Sequence, residues 1–297
     1  MSGIDWIAVD WGSSHLRVWG MAGDAVVFRR TSDAGMGRLE PDGYEPVLLA
    51  LLPDLPDAPL PVLICGMAGS RQGWREAPYI AVPCAPPVKA IAVPARDTRL
   101  AVRILPGIMQ GSPADVMRGE ETQVAGFLAL NPGFDGVICL PGTHTKWVHV
   151  SAGEIVSFRT FLTGELFALL STQSVLRHSV AAEGWDDAAF AEAVARAQTR
   201  PAAVAADLFS LRAEGLLHGL SPDTARARLS GLLIGMELAA AKPYWLGQPV
   251  AVLGAPQIAG PYRAALQAQG VPVTLADAER MTLEGLKAAH RAMKGTE

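Results

Sequence analysis

Two stretches of this chain, 130 residues apart, align without a gap. DWIAVDWGSSHLRVWGMAGDAVVFRR starts at Asp5, and DGVICLPGTHTKWVHVSAGEIVSFRT starts at Asp135. Gly12 falls on Gly142, Val18 on Val148, Ala22-Gly23 on Ala152-Gly153, and Phe28-Arg29 on Phe158-Arg159. Ser13 with Thr143 and Asp24 with Glu154 are conservative matches. An internal repeat dictates architecture before any single motif does. This one predicts two related domains, each presenting a Gly/hydroxyl turn. Each copy reads as strand, tight turn, strand, hairpin, strand. Ile7 to Val9 and Val137 to Leu140 are buried-strand runs, and the Ala-Gly-Asp and Ala-Gly-Glu tripeptides are hairpin loops. A glycine turn lets backbone N–H groups approach an anion closely, and the neighbouring hydroxyls add donors. Two such turns on facing domains suit the phosphates of a nucleotide.

Composition narrows the partners. Half of the 297 residues are hydrophobic, which suffices for two cores, and the net charge is −4. No Lys/Arg cluster forms a basic stripe, so nucleic acid is not an expected partner. MSGIDWIAVD has no basic segment before an apolar run and does not read as a signal peptide. GLLIGMELAAA, from Gly231, is too short to span a bilayer and contains Glu237, so it reads as a buried helix rather than a membrane segment. Cys65, Cys84 and Cys139 lack metal-site spacing and read as small core residues in a reducing cytoplasm.

After the first strand triplet come a DAGMGRL loop, a helix over Tyr44–Leu52, a strand ending at Cys65, and a proline-rich segment from Pro78 to Pro94. Leu100–Leu105 reads as a strand. SPADVMRGEETQVAGFLAL reads as a helix with Ser112 as N-cap and Pro113 at its first position. A helix follows the second triplet at TGELFALL, Asp186–Ala241 is mostly helical, and PVAVLGAPQIAG is a strand, a Gly turn and a helix start. VPVTL is a strand and Met281–Met293 a closing helix. The order βββ-α-β-α-β-α, seen twice, resembles the superfamily of sugar kinases, heat-shock ATPases and actin. It implies an α/β chain of two ribonuclease H-like (actin-like ATPase) domains with the active site in the cleft between them. The expected division is 1–114 plus 282–297, and 115–281.

The segments AVDWGSSHLRVW, GMAGSRQGWREAPY, DVMRGEETQVAG, LPGTHTKWV and FLTGELFALL carry a closer likeness. On them the chain resembles the 2-keto-3-deoxygalactonokinase family. That resemblance implies transfer of phosphate from ATP, with Mg²⁺, to the 6-hydroxyl of the keto-deoxy sugar acid in galactonate breakdown. It implies a cytoplasmic location and leaves a homodimer open. The same superfamily offers two alternatives: a kinase for another sugar, and an ATPase that is not a kinase.

Asp10-Trp11-Gly12-Ser13-Ser14 looks like the first phosphate motif of the superfamily. Asp10 would face Mg²⁺ through water, since Mg²⁺ keeps several waters, and Gly12, Ser13 and Ser14 would face phosphate. In the second copy Leu140 stands where Asp10 does, so one metal-directed carboxylate is expected. Gly142 and Thr143 are the expected phosphate contacts there, and His144 is expected as a turn donor rather than a base. Lys146 reads equally as a phosphate partner or a solvated strand residue. Asp115 is the expected general base, because related sugar kinases place an aspartate at a helix start just before the second phosphate hairpin. Glu120 and Glu121 are its rivals on the same helix. Arg71, Gln72, Trp74 and Arg75 form a polar loop suited to a carboxylate and hydroxyls, with the choice between the two arginines open. Thr163-Gly164-Glu165 reads equally as a cleft segment or a helix start capped by Thr163. Gly254 and Ala255 resemble the adenosine-side loop of the superfamily, with alanine where a second glycine is usual.

Overall fold

A computed structural model describes residues 3–52 and 55–295. Its contacts divide the chain into two units: Met1–Phe134 with Val150–Ser157 and Ala278–Glu297, and Asp135–His149 with Phe158–Asp277.

The first unit begins with β1 (Trp6–Trp11), β2 (Leu16–Ala22) and β3 (Ala25–Ser32). Next come α1 (Tyr44–Leu51), β4 (Leu60–Gly66), β5 (Tyr79–Ala81), β6 (Ile91–Val93) and β7 (Leu100–Ile104). The hairpin β8 (Gly107–Gly111) and β9 (Ala114–Met117) precedes α2 (Glu120–Leu130). The main sheet runs β3-β2-β1-β4-β7-β6, and β5-β8-β9 form a small separate sheet. β1 is antiparallel to β2 and parallel to β4. Every residue of β1 is buried, because both faces of the sheet are covered. The pleat sends Ile7, Val9 and Trp11 into a core with Tyr44 and Leu48 of α1. It sends Trp6 and Ala8 into a second core with Leu286 and Ala289 of the closing helix.

The second repeat runs β10 (Gly136–Leu140), β11 (Thr145–Ser151), β12 (Glu154–Phe161) and α3 (Thr163–Thr172), all grouped with the second unit except Val150–Ser157 around the β11–β12 turn. The helical run is α4 (Asp187–Thr199), α5 (Val204–His218), α6 (Pro222–Ala240) and the short α7 (Lys242–Trp245). β13 (Val250–Leu253), α8 (Pro256–Gln267) and β14 (Val273–Ala276) complete it, and α9 (Ala278–Lys294) closes the chain in the first unit. The sheet order, β12-β11-β10-β13-β14, repeats that of the first unit from β3 to β7. Asp186 and Ser221 cap α4 and α6 by accepting from Ala189 N and Thr224 N, and Pro222 stands at the first position of α6. The run from Gly231 is buried, as its apolarity predicts. Among the described residues no helix is long and apolar enough to cross a membrane.

The repeated hairpins both turn on two residues, displaced from each other by one position of the repeat. β2 and β3 are joined by Gly23-Asp24, whereas β11 and β12 are joined by Ala152-Gly153, with Ala152 at φ 51°. A bulge between Gly20 and Met21 shifts the register of the first hairpin.

Residues 107–134 belong with the first unit, where the expected division put residues from 115 onward in the second. The reason is the crossing of α2 with α9. A Cβ on Gly126 would lie 1.9 Å from Met281 O, and one on Gly285 would lie 1.9 Å from Thr122 O. The two backbones touch, so a larger residue must separate the helices. Gly126→Val is expected to destabilise the protein by about 3 kcal/mol, the upper end for overpacking, read by denaturant melts. Gly260→Ala is the control: its methyl meets nothing within 4 Å inside α8, and stability should hold or rise.

Candidate active site

Asp10 is the next-to-last residue of β1, before the Gly12 turn. It is buried, and its Oδ2 accepts from Arg17 Nη1 at 2.6 Å. Burial raises its pKa, and Arg17 opposes that rise. Glu279 of α9 holds the far side of Arg17, 3.5 Å from its Nε. The turn is closed from within by Gly12 N donating to His15 O at 2.8 Å. Met36 N and Gly37 N donate to Gly12 O and Ser13 O, each at 3.0 Å. The carbonyls are thus occupied, and Ser13 and Ser14 are exposed.

Cys65, at the end of β4, has its Sγ 3.9 Å from Asp10 Oδ1. Burial first, then the charges of Asp10 and Glu121, push its thiol well up. A carboxylate therefore stands near this thiol from each of two elements, β1 and the start of α2.

The start of α2 corrects the expected place of Asp115. Residues 114–117 are not helical: they pair with β8 in a hairpin turned by Ser112-Pro113, with Asp115 opposite Gln110. Ser-Pro suits a hairpin loop as well as a helix start, and here the pairing partner decides. The helix begins only after Gly119, at φ 108°. Asp115, whose Oδ1 accepts from Val116 N at 2.8 Å, does not stand at a helix N-terminus.

That position belongs to Glu120 and Glu121. Glu120 is half-buried, and its Oε2 accepts from Arg118 N at 3.1 Å. Glu121 is 1% exposed. Its carboxylate folds back onto Gly119 N, at 2.7 and 2.9 Å. Burial, then the neighbouring charge of Glu120, pushes its pKa up to about 7. The folded state therefore holds a proton that the unfolded chain releases above its ordinary carboxylate value. That contribution is full at low pH and is lost as pH rises towards 7. Glu121→Gln cannot ionise, so its stability relative to wild type should climb between pH 5 and pH 8 in paired melts. A constant difference would contradict the buried, proton-holding state.

In the loop after β4, Arg71, Gln72 and Arg75 are exposed. Trp74 is half-buried, with its ring 6.3 Å from Trp11 and 6.2 Å from Tyr44. Trp74 and Arg75, with Arg96, Asp42 and Glu45, line a cavity of about 250 Å³; Arg71 and Gln72 are not in its lining. Sequence reasoning passed over Arg118. It is buried, donates from Nη2 to Ala77 O at 2.8 Å, and lies 4.3 Å over the Tyr79 ring. Its Nε and Nη1 have no hydrogen-bond partner. The available signal was its place directly ahead of Gly119 and two acids.

In the second unit, Thr143 and His144 are exposed in the turn after β10. The start of α3 seats this turn. Glu165 N donates to Thr143 O at 2.9 Å, and His144 Nε2 meets Glu165 Oε2 at 2.6 Å. A Cβ on Gly164 would lie 2.1 Å from Gly142 O. Thr163 is the first residue of α3, after Leu162, and not its N-cap; its hydroxyl donates to Glu237. Lys146 is not a solvated strand residue. It is 5% exposed, and its Nζ donates to Thr160 Oγ1 at 2.8 Å.

Gly254 lies beside this turn, its Cβ direction 3.8 Å from Pro141 Cδ, and Ala255 caps α8. A cavity of about 330 Å³ opens here. Gly142 and Thr143 line it, with Thr163 and Gly164 from α3, Ile234 from α6, and Gln257, Ile258 and Tyr262 from α8. Below it sits Glu237, whose carboxyl is pushed up to about 7 by burial against several hydrogen bonds.

A repeated sheet of this order, with a Gly/hydroxyl turn after its first strand, is the fold of the actin-like ATPases. The likeness extends to component A of an Acidaminococcus fermentans (R)-2-hydroxyglutaryl-CoA dehydratase, which shares the fold at 14% identity, with a TM-score of 0.55 and 97% and 98% of the two chains covered. A family model described as 2-keto-3-deoxy-galactonokinase matches residues 10–289. The Escherichia coli K12 2-dehydro-3-deoxygalactonokinase is 34% identical over 97% of this chain and 98% of its own. A probable 2-dehydro-3-deoxygalactonokinase of Rhizobium meliloti strain 1021 is 42% identical, covering 96% of each chain. The crystal structure of a candidate enzyme of that activity from Sinorhizobium meliloti superposes with a TM-score of 0.88 at 42% identity, covering 97% of this chain and 96% of that one. The chain belongs to the 2-keto-3-deoxy-galactonokinase family.

Proposed function

We propose that this protein transfers the terminal phosphoryl group of ATP to the 6-hydroxyl of 2-dehydro-3-deoxygalactonate, in the cytoplasm. The carrying observation is the family match over residues 10–289. The supporting one is a carboxylate at the start of α2 in the same unit as the Asp10 turn.

Glu120 is the base in this reading. Its carboxylate is the more open of the pair at the helix start, and the helix N-terminus favours the ionised acceptor. It orients the sugar hydroxyl and takes its proton as the new O–P bond forms. Glu121, enclosed and bonded to Gly119 N, fixes the geometry of that helix start. Arg75 brings its guanidinium to a cavity also lined by Trp74, which suits a carboxylate attached to a short carbon chain; Arg96 in that lining is paired with Asp42 at 2.9 Å. In the second unit, Gly142 and Thr143 face the phosphates, and the α6 and α8 side chains receive the nucleoside.

No group of three His, Cys, Asp or Glu side chains able to hold a metal occurs among the described residues. A lone buried carboxylate already bonded to Arg17 fits Mg²⁺ that arrives on ATP and is met through water. When bound, that ion neutralises charge on the phosphates.

ADP release is the test, measured with a series of keto-deoxy sugar acids and with glucose. The sugar acids should drive release well above background, and glucose should not. Arg75→Ala should raise KM for the acid far more than kcat falls. Background hydrolysis across the whole series would overturn the proposal.

A further inference from the structure

Glu237 has no role in the transfer just described, yet it is an acid in the middle of a buried helix, 2% exposed. A carboxylate in such a place is costly unless its oxygens are satisfied. Here they are. Trp147 Nε1, from β11, donates to Oε1 at 2.7 Å. Tyr262 OH, from α8, donates to Oε2 at 2.8 Å, and Thr163 Oγ1, from α3, donates to the same oxygen. Thr145 Oγ1 lies 2.9 Å from Tyr262 OH and extends the network to the end of the phosphate-side turn. An ionised carboxylate only accepts. In the ionised state Thr163 and Tyr262 both point their hydrogens at Oε2, and Tyr262 then accepts from Thr145.

A core that only needed filling would not need an acid here. Two of the donors, Thr163 and Tyr262, line the 330 Å³ cavity on opposite elements. Thr163 also opens the helix whose next residue, Gly164, packs on Gly142. We propose that Glu237 is a positioning residue for the nucleotide. By binding Thr163 and Tyr262 to one oxygen, it sets the distance between α3 and α8 across the cavity and seats the Gly142–Thr143 turn. This rests on reading that cavity as the nucleotide site.

The test is ADP binding to the full-length protein without sugar, by titration calorimetry, alongside steady-state kinetics. Ile258→Trp puts bulk into the cavity lining and should abolish ADP binding. Glu237→Gln should weaken ADP binding by about tenfold, the scale of one strong hydrogen bond. Its KM for ATP should rise in step, while kcat at saturating ATP and KM for the sugar acid stay near wild type. Tyr262→Phe keeps the carboxylate and removes one donor, so it carries the test if Glu237→Gln does not fold; its ADP binding should weaken by a smaller factor. Wild-type ADP affinity in both Glu237→Gln and Tyr262→Phe would overturn the positioning role. Equal damage to ATP and sugar-acid KM would do the same, because general loosening predicts it. Undiminished ADP binding by Ile258→Trp would instead overturn the nucleotide reading of the cavity, and the proposal with it.

Discussion

Glu120→Gln is expected to lower sugar-dependent ATP turnover by about 10²–10⁴-fold, the range supplied by a positioned general base. ADP binding is expected to stay close to wild type, because the proposed nucleotide cavity lies in the other unit. Gln keeps the shape and can still accept from Arg118 N, where Glu120 Oε2 now accepts, so the helix start should survive. Asp115→Asn, on the β8–β9 hairpin, is expected to stay near the wild-type rate. The two variants separate Asp115 from Glu120 as the base. If Asp115→Asn loses turnover by orders of magnitude while Glu120→Gln does not, the base assignment reverses.

Asp10→Asn is expected to cost at least about 100-fold in kcat, equivalent to roughly 2.7 kcal/mol of transition-state stabilisation. Asn preserves the volume of a buried residue, and Arg17 keeps Glu279 as a second partner. The fold should therefore persist with a modest loss of stability. The distinguishing readout is magnesium: the Mg²⁺ concentration for half-maximal rate should rise in Asp10→Asn. A lowered rate with an unchanged Mg²⁺ requirement would make Asp10 an ion-pair partner of Arg17 and nothing more.

Much of this was legible because a repeated hairpin constrains topology. Gly12 and Gly142 each follow the first strand of their sheet, and the two sheets share one strand order. The apolar strands needed no alignment to find, since burial on both faces removes the usual alternation. Ser112-Pro113 misled because its residues suit a hairpin loop and a helix start equally, and only the pairing of β9 with β8 selects between them. The helix starts at Glu120, and the proposed base follows from that start.

Lys146 was undecidable for a different reason. Its strand carries a turn at one end, but the side chain reaches Thr160 on the next strand, a partner that local spacing does not show. Arg118 and Glu237 show the limit most clearly. A buried charge is recognised by what surrounds it, and their partners lie 41 and up to 90 residues away in the chain. For Glu237 the trace in the sequence was an acid inside the apolar run from Gly231.

Phosphorus and carbon NMR of the product formed from ATP and 2-dehydro-3-deoxygalactonate tests the central claim most directly. The account predicts a single phosphomonoester on the C6 oxygen, formed with one ADP per sugar. Inorganic phosphate with unmodified sugar acid, or phosphate on any other oxygen, would contradict it.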